Sequence, residues 1–401
     1  MELLEFPLSL VLALAMVLCV LLLKDTSLGR RMASRGFSSV ILAIAAVFLS
    51  VEGSFATGLF HHWAFILTVL LAMFSLAFTA FTDWERKAYS PLLSHLGFFL
   101  VLFGGLFGAP DCTDALLKAS LDGPAEHIAL SADGKSVPLP FNIALKEFRT
   151  DCYEDGISPR QYTSRLDIDG KVLETSVNHP CRHKGFRIYQ AGYESGPCTS
   201  TVLKLVRDPW LPVVALGALM MALAAVTGLK KTWNSWKVPV AALILAIIFG
   251  VISVATINFG TLMPALRSLW FVPHLIVYML AYAVMALSVL SGIGSIFSDR
   301  IPGSLSGKLL STATSLLLIG MLFGAVWAKQ AWGNYWTWDA KECWAAVTWL
   351  LALAAEHLPR RKAAFVFTVL AFMAIQMTWY GVNKLPSADR SLHTYNQEKT
   401  I

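Results

Sequence analysis

About ten apolar runs, each long enough or nearly so to cross roughly 30 Å of hydrocarbon, constrain this chain more than any other feature. Inside a bilayer no water satisfies backbone N–H and C=O groups, so a spanning segment must bond within itself, as a helix does. Four runs form a first block, approximately Pro7 to Leu23, Ser38 to Gly58, Trp63 to Phe81 and Pro91 to Ala109. Six form a second, approximately Pro209 to Leu229, Val238 to Ile257, Trp270 to Phe297, Leu309 to Ala328, Trp344 to His357 and Ala363 to Gly381. The predicted fold class is an all-α polytopic membrane protein of about ten transmembrane helices, with a small outward β-rich domain inserted after the fourth. The expected units are a four-helix membrane block over 1–110, the β-rich domain over 111–208, and a six-helix block over 209–401. Of 401 residues, 56% are hydrophobic and 14% charged, which excludes a soluble protein of this size.

The net charge of +6 does not imply a nucleic-acid partner, because the basic residues cluster in short loops between apolar runs. Lys24, Arg30, Arg31 and Arg35 share one loop, and Arg86 and Lys87 share another. Lys230, Lys231 and Lys237, then Arg300 and Lys308, then Arg360, Arg361 and Lys362 follow. Counting spans places all five loops on one side, the cytoplasm by the positive-inside rule. The insert, the region 327–344 and the C-terminal tail then face outward. The first run reads as an anchor, with no small-residue cleavage site.

From His127 to Arg207 apolar and polar residues alternate, and Asp133-Gly134 and Asp169-Gly170 separate strand-like runs, the pattern of β-hairpins. Expected strands are Ser136 to Arg149, Tyr162 to Ile168, Val172 to Val177, Phe186 to Tyr193 and Thr201 to Val206. Cys112, Cys152, Cys181 and Cys198 lie in this outward insert, where two disulfides are expected in any of three pairings. The other reading, a thiol-exchange pair, has no C-x-x-C spacing behind it.

Trp332 to Trp344 reads WGNYWTWDAKECW, and five of the chain's 13 tryptophans, Trp327, Trp332, Trp336, Trp338 and Trp344, fall within eighteen residues. An aromatic belt at the water interface is the ordinary meaning of tryptophan here. A belt puts one or two rings at each helix end, whereas these rings interleave with Asp339, Lys341 and Glu342. Flat rings edged with charge suit a large planar ligand carrying carboxylates, each stacked ring adding about 0.5–1.5 kcal/mol. Haem is the candidate.

Haem iron takes one or two axial imidazoles. His95 is five residues into the fourth run from its cytoplasmic end, and His357 closes the ninth run at that same level. His274 starts the seventh run on the outer side, and His393 lies in the outward tail, so this second pair flanks the tryptophan-rich loop. An ionisable residue inside a span is costly and points to function, whereas His357 beside Arg360 also reads as an ordinary interfacial residue. His61, His62, His127, His179 and His183 read as surface residues.

WGNYWTWDAKECW resembles the tryptophan-rich WWD signature, WGxYWxWDPKExW, of haem-handling proteins in cytochrome c maturation. It departs from it at Ala340, usually Pro, and at Cys343, usually Thr. The second block is similar to the CcsA half of the system II cytochrome c synthetase in LMPALRSLWFVPH (Leu262 to His274), in Trp349 to His357, and in Gly381-Val382-Asn383 followed by Leu392-His393-Thr394-Tyr395. The first block and insert resemble a shortened CcsB, or ResB-like, half. That resemblance rests on His95 in SHLGFFLVLFGG, on Pro159 to Ser164 (PRQYTS), on Val177 to Pro180 (VNHP) and on Gly185 to Gln190 (GFRIYQ).

The resemblance implies a synthetase that takes haem b from the cytoplasm, moves it outward and attaches it by thioether bonds to the CXXCH motif of apocytochrome c. It implies His95 and His357 as ligands on uptake and His274 and His393 as ligands at the outer site. Trp332, Trp336, Trp338 and Asp339 then shape the platform, and a thioredoxin-like thiol reductase is an implied partner. Lys341, Arg267 and Arg390 are candidates for the propionates or are solvated charges. Two alternatives stand beside it: a haem exporter or chaperone that leaves attachment to another protein, and a quinol-oxidising cytochrome b with paired histidines on two helices.

Overall fold

The computed structural model describes residues 7–193, 200–237, 240, 241, 244, 248, 262–391 and 393. Its ten α-helices among these residues are α1 (Leu8–Leu23), α2 (Ser27–Met32), α3 (Arg35–Phe55), α4 (Trp63–Glu85), α5 (Tyr89–Phe107), α6 (Leu211–Trp233), α7 (Phe271–Phe297), α8 (Gly303–Trp332), α9 (Ala340–His357) and α10 (Arg361–Trp379). Seven of them, α3 to α8 and α10, are long and apolar enough to cross a membrane. Against the expectation of about ten spans, seven helices of that kind stand among the described residues. The run Val238 to Ile257 falls largely outside these residues, α1 has only 16 residues, and α9 carries Lys341, Glu342 and Glu356 in its 18.

Local chemistry sets the helix ends. Thr26 and Ser34 in the first basic loop accept the backbone N–H groups of Gly29 and Phe37 at 3.2 and 3.3 Å, which starts α2 and α3 inside a segment expected to be irregular. At the far end of α3 the Glu52 carboxylate accepts Thr57 Oγ1, Gly58 N and Leu59 N at 2.8, 3.1 and 2.9 Å and turns the chain toward α4.

The insert is an eight-stranded antiparallel sheet. Its strands are β1 (Thr113–Ser120), β2 (Glu126–Ser131), β3 (Ser136–Cys152), β4 (Pro159–Ile168), β5 (Lys171–Ser176), β6 (Cys181–His183), β7 (Phe186–Tyr193) and β8 (Ser200–Arg207), in the order β5-β4-β3-β2-β1-β8-β7-β6. All five expected strands are present, and both Asp-Gly pairs sit in hairpin turns, with Asp169 and Gly170 at φ +50° and +80°. The run before Asp133-Gly134 is β2, whereas β1 and β6 were not expected, so the sheet begins at Thr113 rather than near His127. β1 alternates buried and exposed residues over its whole length, the period of a half-buried strand.

The expected pair of disulfides is not formed. Two bridges among four cysteines require one between two of Cys112, Cys152 and Cys181, and all three are free thiols; Cys198 lies outside the described residues. The strand order separates them, placing Cys112 before β1, Cys152 at the end of β3 and Cys181 on edge strand β6.

The first and last strands pair along their full length, from Thr113 against Arg207 to Ser120 against Ser200. The chain therefore leaves α5 and returns to α6 side by side, and Trp210 Nε1 fastens this neck by donating to Asp111 Oδ2 at 2.6 Å. Below it α5 and α6 meet at Gly97 and Gly217, where a Cβ on either would stand within 2.7 Å of the other's carbonyl oxygen. The main membrane core likewise mixes the blocks: Ala46 and Leu49 of α3 pack with Ala281, Leu317 and Ala352 of α7, α8 and α9. The five basic loops share the end of the bundle opposite the sheet.

Gly53 of α3 lies so close to α9 that an added Cβ would stand 2.6 Å from Cys343 Cβ, whereas Gly105 of α5 has nothing within 4 Å. Gly53→Ala is expected to cost about 1–3 kcal/mol by overpacking, and Gly105→Ala to gain about 0.5–1 kcal/mol of helix propensity. Thermal unfolding midpoints of the two variants in detergent check the opposite signs.

Candidate functional site

At the sheet end, α8 stops at Gly333, whose φ of +89° is the left-handed terminus that glycine adopts without strain. The next helix starts where Asp339 Oδ1 accepts the N–H of Glu342 at 2.9 Å, a capping-box spacing. Glu342 reaches back to Thr337, accepting its N–H at 2.6 Å and its hydroxyl at 3.0 Å. Between them Trp338 takes φ +60°, uncommon for a bulky residue, with its ring 4.7 Å from Phe60 and 5.7 Å from Trp336.

The same carboxylate receives the end of the chain. After α10 the chain doubles back, anchored by Ser387 Oγ on Gly53 O at 2.5 Å, and Ser391 Oγ and His393 Nδ1 both meet Asp339 Oδ2, at 2.8 and 2.6 Å. Burial raises the Asp339 pKa, but the hydrogen bond and charge of His393, with the Glu342 N–H and Ser391 hydroxyl, outweigh it and hold the carboxyl at about 2.

His274, in the first turn of α7, donates from Nδ1 to Gly320 O of α8 at 2.8 Å. Its ring fills the space over Gly324, where a Cβ would lie 2.7 Å away. Buried Trp327 stands between the two histidines, 5.8 Å from the His274 ring and 5.6 Å from that of His393, with Trp332 5.2 Å from His393. Trp327 Nε1 is held by Ala265 O at 2.9 Å. The structure thus gathers His274, His393, Trp332 and Asp339 around Trp327, with Trp336 and Trp338 on the adjoining loop.

At the opposite end of the bundle His95 and His357 face each other, ring centroids 6.3 Å apart. His95 Nδ1 lies 2.7 Å from Asp83 Oδ2 of α4, and His357 Nδ1 donates to Leu353 O at 2.8 Å. A cavity of about 530 Å³ lies beside them, lined also by Lys24, Arg30, Arg35 and Arg86. A second cavity of about 400 Å³ on the sheet, lined by Glu147, Arg149, Arg165 and Glu174, contains no histidine.

All four histidines spend Nδ1 on an acceptor. A backbone carbonyl only accepts, so Nδ1 carries the proton in His274 and His357 and the neutral ring keeps its lone pair on Nε2, while His95 and His393 turn Nδ1 to the oxygens of Asp83 and Asp339. Such second partners orient metal-binding imidazoles and raise their basicity. Asp339, Glu342 and His393 also lie within 4.8 Å of one another, a spacing that suits a metal ion. Their facing atoms already bond to Ser391, Thr337 and the N–H of Glu342, which makes the group a closed hydrogen-bonded joint.

Of the proposed propionate partners, Lys341 is half-buried beside Asp339. Arg267 turns to the sheet, its guanidinium 5.7 Å from the Tyr153 ring and Nη1 3.5 Å from Arg160 O, and the Arg390 side chain, with Leu392, Thr394 and Tyr395, lies outside the described residues. Sequence reasoning missed Asp83, although a carboxylate so near a span warrants attention, and missed Gly324, whose signal is a glycine inside an apolar run. His183, read as a surface residue, is only 12% exposed and sits beside Asp169.

The fold and sites define a polytopic membrane protein with paired histidines at both ends of its bundle and an extramembrane β-sheet over one of them. Residues 210–388 match the family model described as cytochrome C assembly protein, and residues 87–206 match the ResB-like family. A cytochrome c biogenesis protein CcsA of Parasynechococcus marenigrum is 30% identical over 243 residues, 49% of this chain and 72% of that protein. Proteins of the same description from Pyropia yezoensis and Chlamydomonas reinhardtii are 29% and 32% identical, over 39% and 33% of this chain and 67% and 42% of their own lengths. The match to the Chlamydomonas protein thus spans less than half of that relative. The chain belongs to the CcsA family of cytochrome c biogenesis proteins, with a ResB-like segment joined ahead of it.

Replacing Asp339 by Asn removes a charge-assisted bond to His393, expected to cost about 1.5–3 kcal/mol. Hydrogen exchange at residues 387–391 and the thermal midpoint of the purified protein check the resulting loosening of the tail.

Proposed function

We propose that the chain is a cytochrome c synthetase of the haem lyase type, which carries haem b across the membrane and attaches it to apocytochrome c. The observation that carries this reading is the common arrangement of the four histidines, each with Nδ1 held by an oxygen, in one pair at each end of the bundle. Haem is here substrate, and the residues suit it. Trp332, Trp336, Trp344 and Trp349 have buried indole N–H groups with no acceptor among the described residues, donors suited to a ligand with polar edges.

On this reading the basic loops are cytoplasmic and the sheet lies outside a bacterial inner membrane. His95 and His357 ligate the iron on uptake, with Lys24, Arg30, Arg35 and Arg86 available to the propionates. His274 and His393 ligate it at the sheet end, where Trp332, Trp336, Trp338 and Asp339 form the platform and Lys341 faces the acid groups. Each CXXCH thiol then adds across one vinyl group, its sulfur to one carbon and its proton to the other, while the substrate's histidine displaces one axial ligand. A thioredoxin-like reductase keeps those thiols reduced.

The first test is the absorption spectrum of the detergent-purified protein before and after dithionite. Sharp reduced haem bands in the wild type that vanish in His95→Ala support the reading, and a folded, colourless wild type refutes stable haem binding. His274→Gly is expected to abolish attachment, with partial rescue by imidazole; full activity without imidazole removes His274 from this role. Asp83→Asn should weaken haem retention at the first pair about 10–100-fold, read by haem titration. Covalent haem on an apocytochrome coexpressed in a host lacking its own maturation genes separates a synthetase from a haem exporter.

A further inference from the structure

Three stretches of the insert, 159–164, 177–180 and 185–190, have no part in haem ligation, yet each meets the second membrane block. Asn178 is buried at φ +69°, and its Nδ2 donates to Pro264 O at 2.8 Å. Tyr153, just beyond β3, donates its hydroxyl to Leu262 O at 2.9 Å, and Arg160 O receives Arg267 Nη1 at 3.5 Å. Tyr189 packs on Gly333, where an added Cβ would stand 3.2 Å from its ring, and Asn334 Nδ2 reaches Asp114 Oδ2 at 3.2 Å.

Residues 262–270 are the strap that leads into α7 and delivers His274 in its first turn. Apart from the short turn Pro264–Leu266, where Pro264 O takes the Arg267 N–H at 3.1 Å, the strap has no regular structure, and side chains meet three of its carbonyls. Leu262, Pro264 and Ala265 are met by Tyr153, Asn178 and Trp327, two of the three from the insert. The same sheet bears on Gly333 and Asn334, where the loop carrying Trp336, Trp338 and Asp339 begins. Two segments about seventy residues apart, each leading to one of the sheet-end histidines or its partner, are thereby referred to one hydrogen-bonded frame.

We infer that the β-sheet is a clamp for the sheet-end site, with Asn178 and Tyr153 as positioning residues that hold the strap and so the His274 imidazole relative to His393. Its consequence for ligation rests on the haem reading proposed above. Each of the three stretches thus spends a group on contacts inside the molecule.

The test uses two substitutions together in the full chain. Asn178→Gly removes the donor while tolerating the left-handed backbone, and Tyr153→Phe removes only the hydroxyl. Hydrogen exchange of the amides of residues 262–270, measured without haem, is expected to accelerate about tenfold, the order produced by losing two ordinary hydrogen bonds. In a His95→Ala, His357→Ala background loaded with haemin, the low-spin bis-histidine spectrum should give way to high-spin haem and return on adding imidazole. Unchanged exchange overturns the clamp, and so does accelerated exchange with an unchanged low-spin spectrum. Should the background protein with Asn178 and Tyr153 intact take up no haemin, the haem reading fails, and the exchange rates alone decide the clamp in the same two directions.

Discussion

Asp339 is the joint on which the sheet-end site depends. One of its oxygens caps α9, and the other holds Ser391 and His393 from the far end of the chain. Its side chain is only 5% exposed, and a buried carboxylate without partners would be expensive. The bonds that make its charge tolerable also set where α9 begins and where the tail must lie. A helix of 18 residues then runs from this joint to His357, about 27 Å away along its axis. The two histidine pairs are thus the two ends of one rigid element.

The second constraint is closeness of backbones. Gly97 and Gly217 let α5 and α6 touch beneath the sheet, Gly53 admits α9 against α3, and Gly324 leaves room for the His274 ring. Without a hydrophobic drive between helices in lipid, such small-residue contacts supply the van der Waals packing that joins them. Because β1 pairs with β8 throughout, the sheet is inserted without separating the membrane helices on either side. The ResB-like and CcsA-like parts consequently share one core.

Much of this was legible in the residues. Apolar runs mark the spans because lipid demands internally bonded backbone, and Asp-Gly pairs mark hairpins because few residues take φ above zero. Counting depth along the spans puts His95 and His357 at one level, and their rings lie 6.3 Å apart. β1 escaped notice because Leu116 faces outward beside buried Leu117 and blurs the alternation. The disulfide expectation failed because an even cysteine count in an oxidising compartment says nothing about which strands bring thiols together.

What the sequence determined alone is what depends on near neighbours: helices from runs of apolar residues and turns from Asp-Gly. What only the tertiary structure decided is which distant groups satisfy each other. Asp83 finds His95, Gly320 O finds His274, Asn178 finds Pro264 O and Asp339 finds His393. The physical reason is that a buried polar group needs a partner of the right sign and direction but not of any particular sequence separation. The need can be seen in the sequence, and only the folded arrangement of helices and sheet says which group meets it.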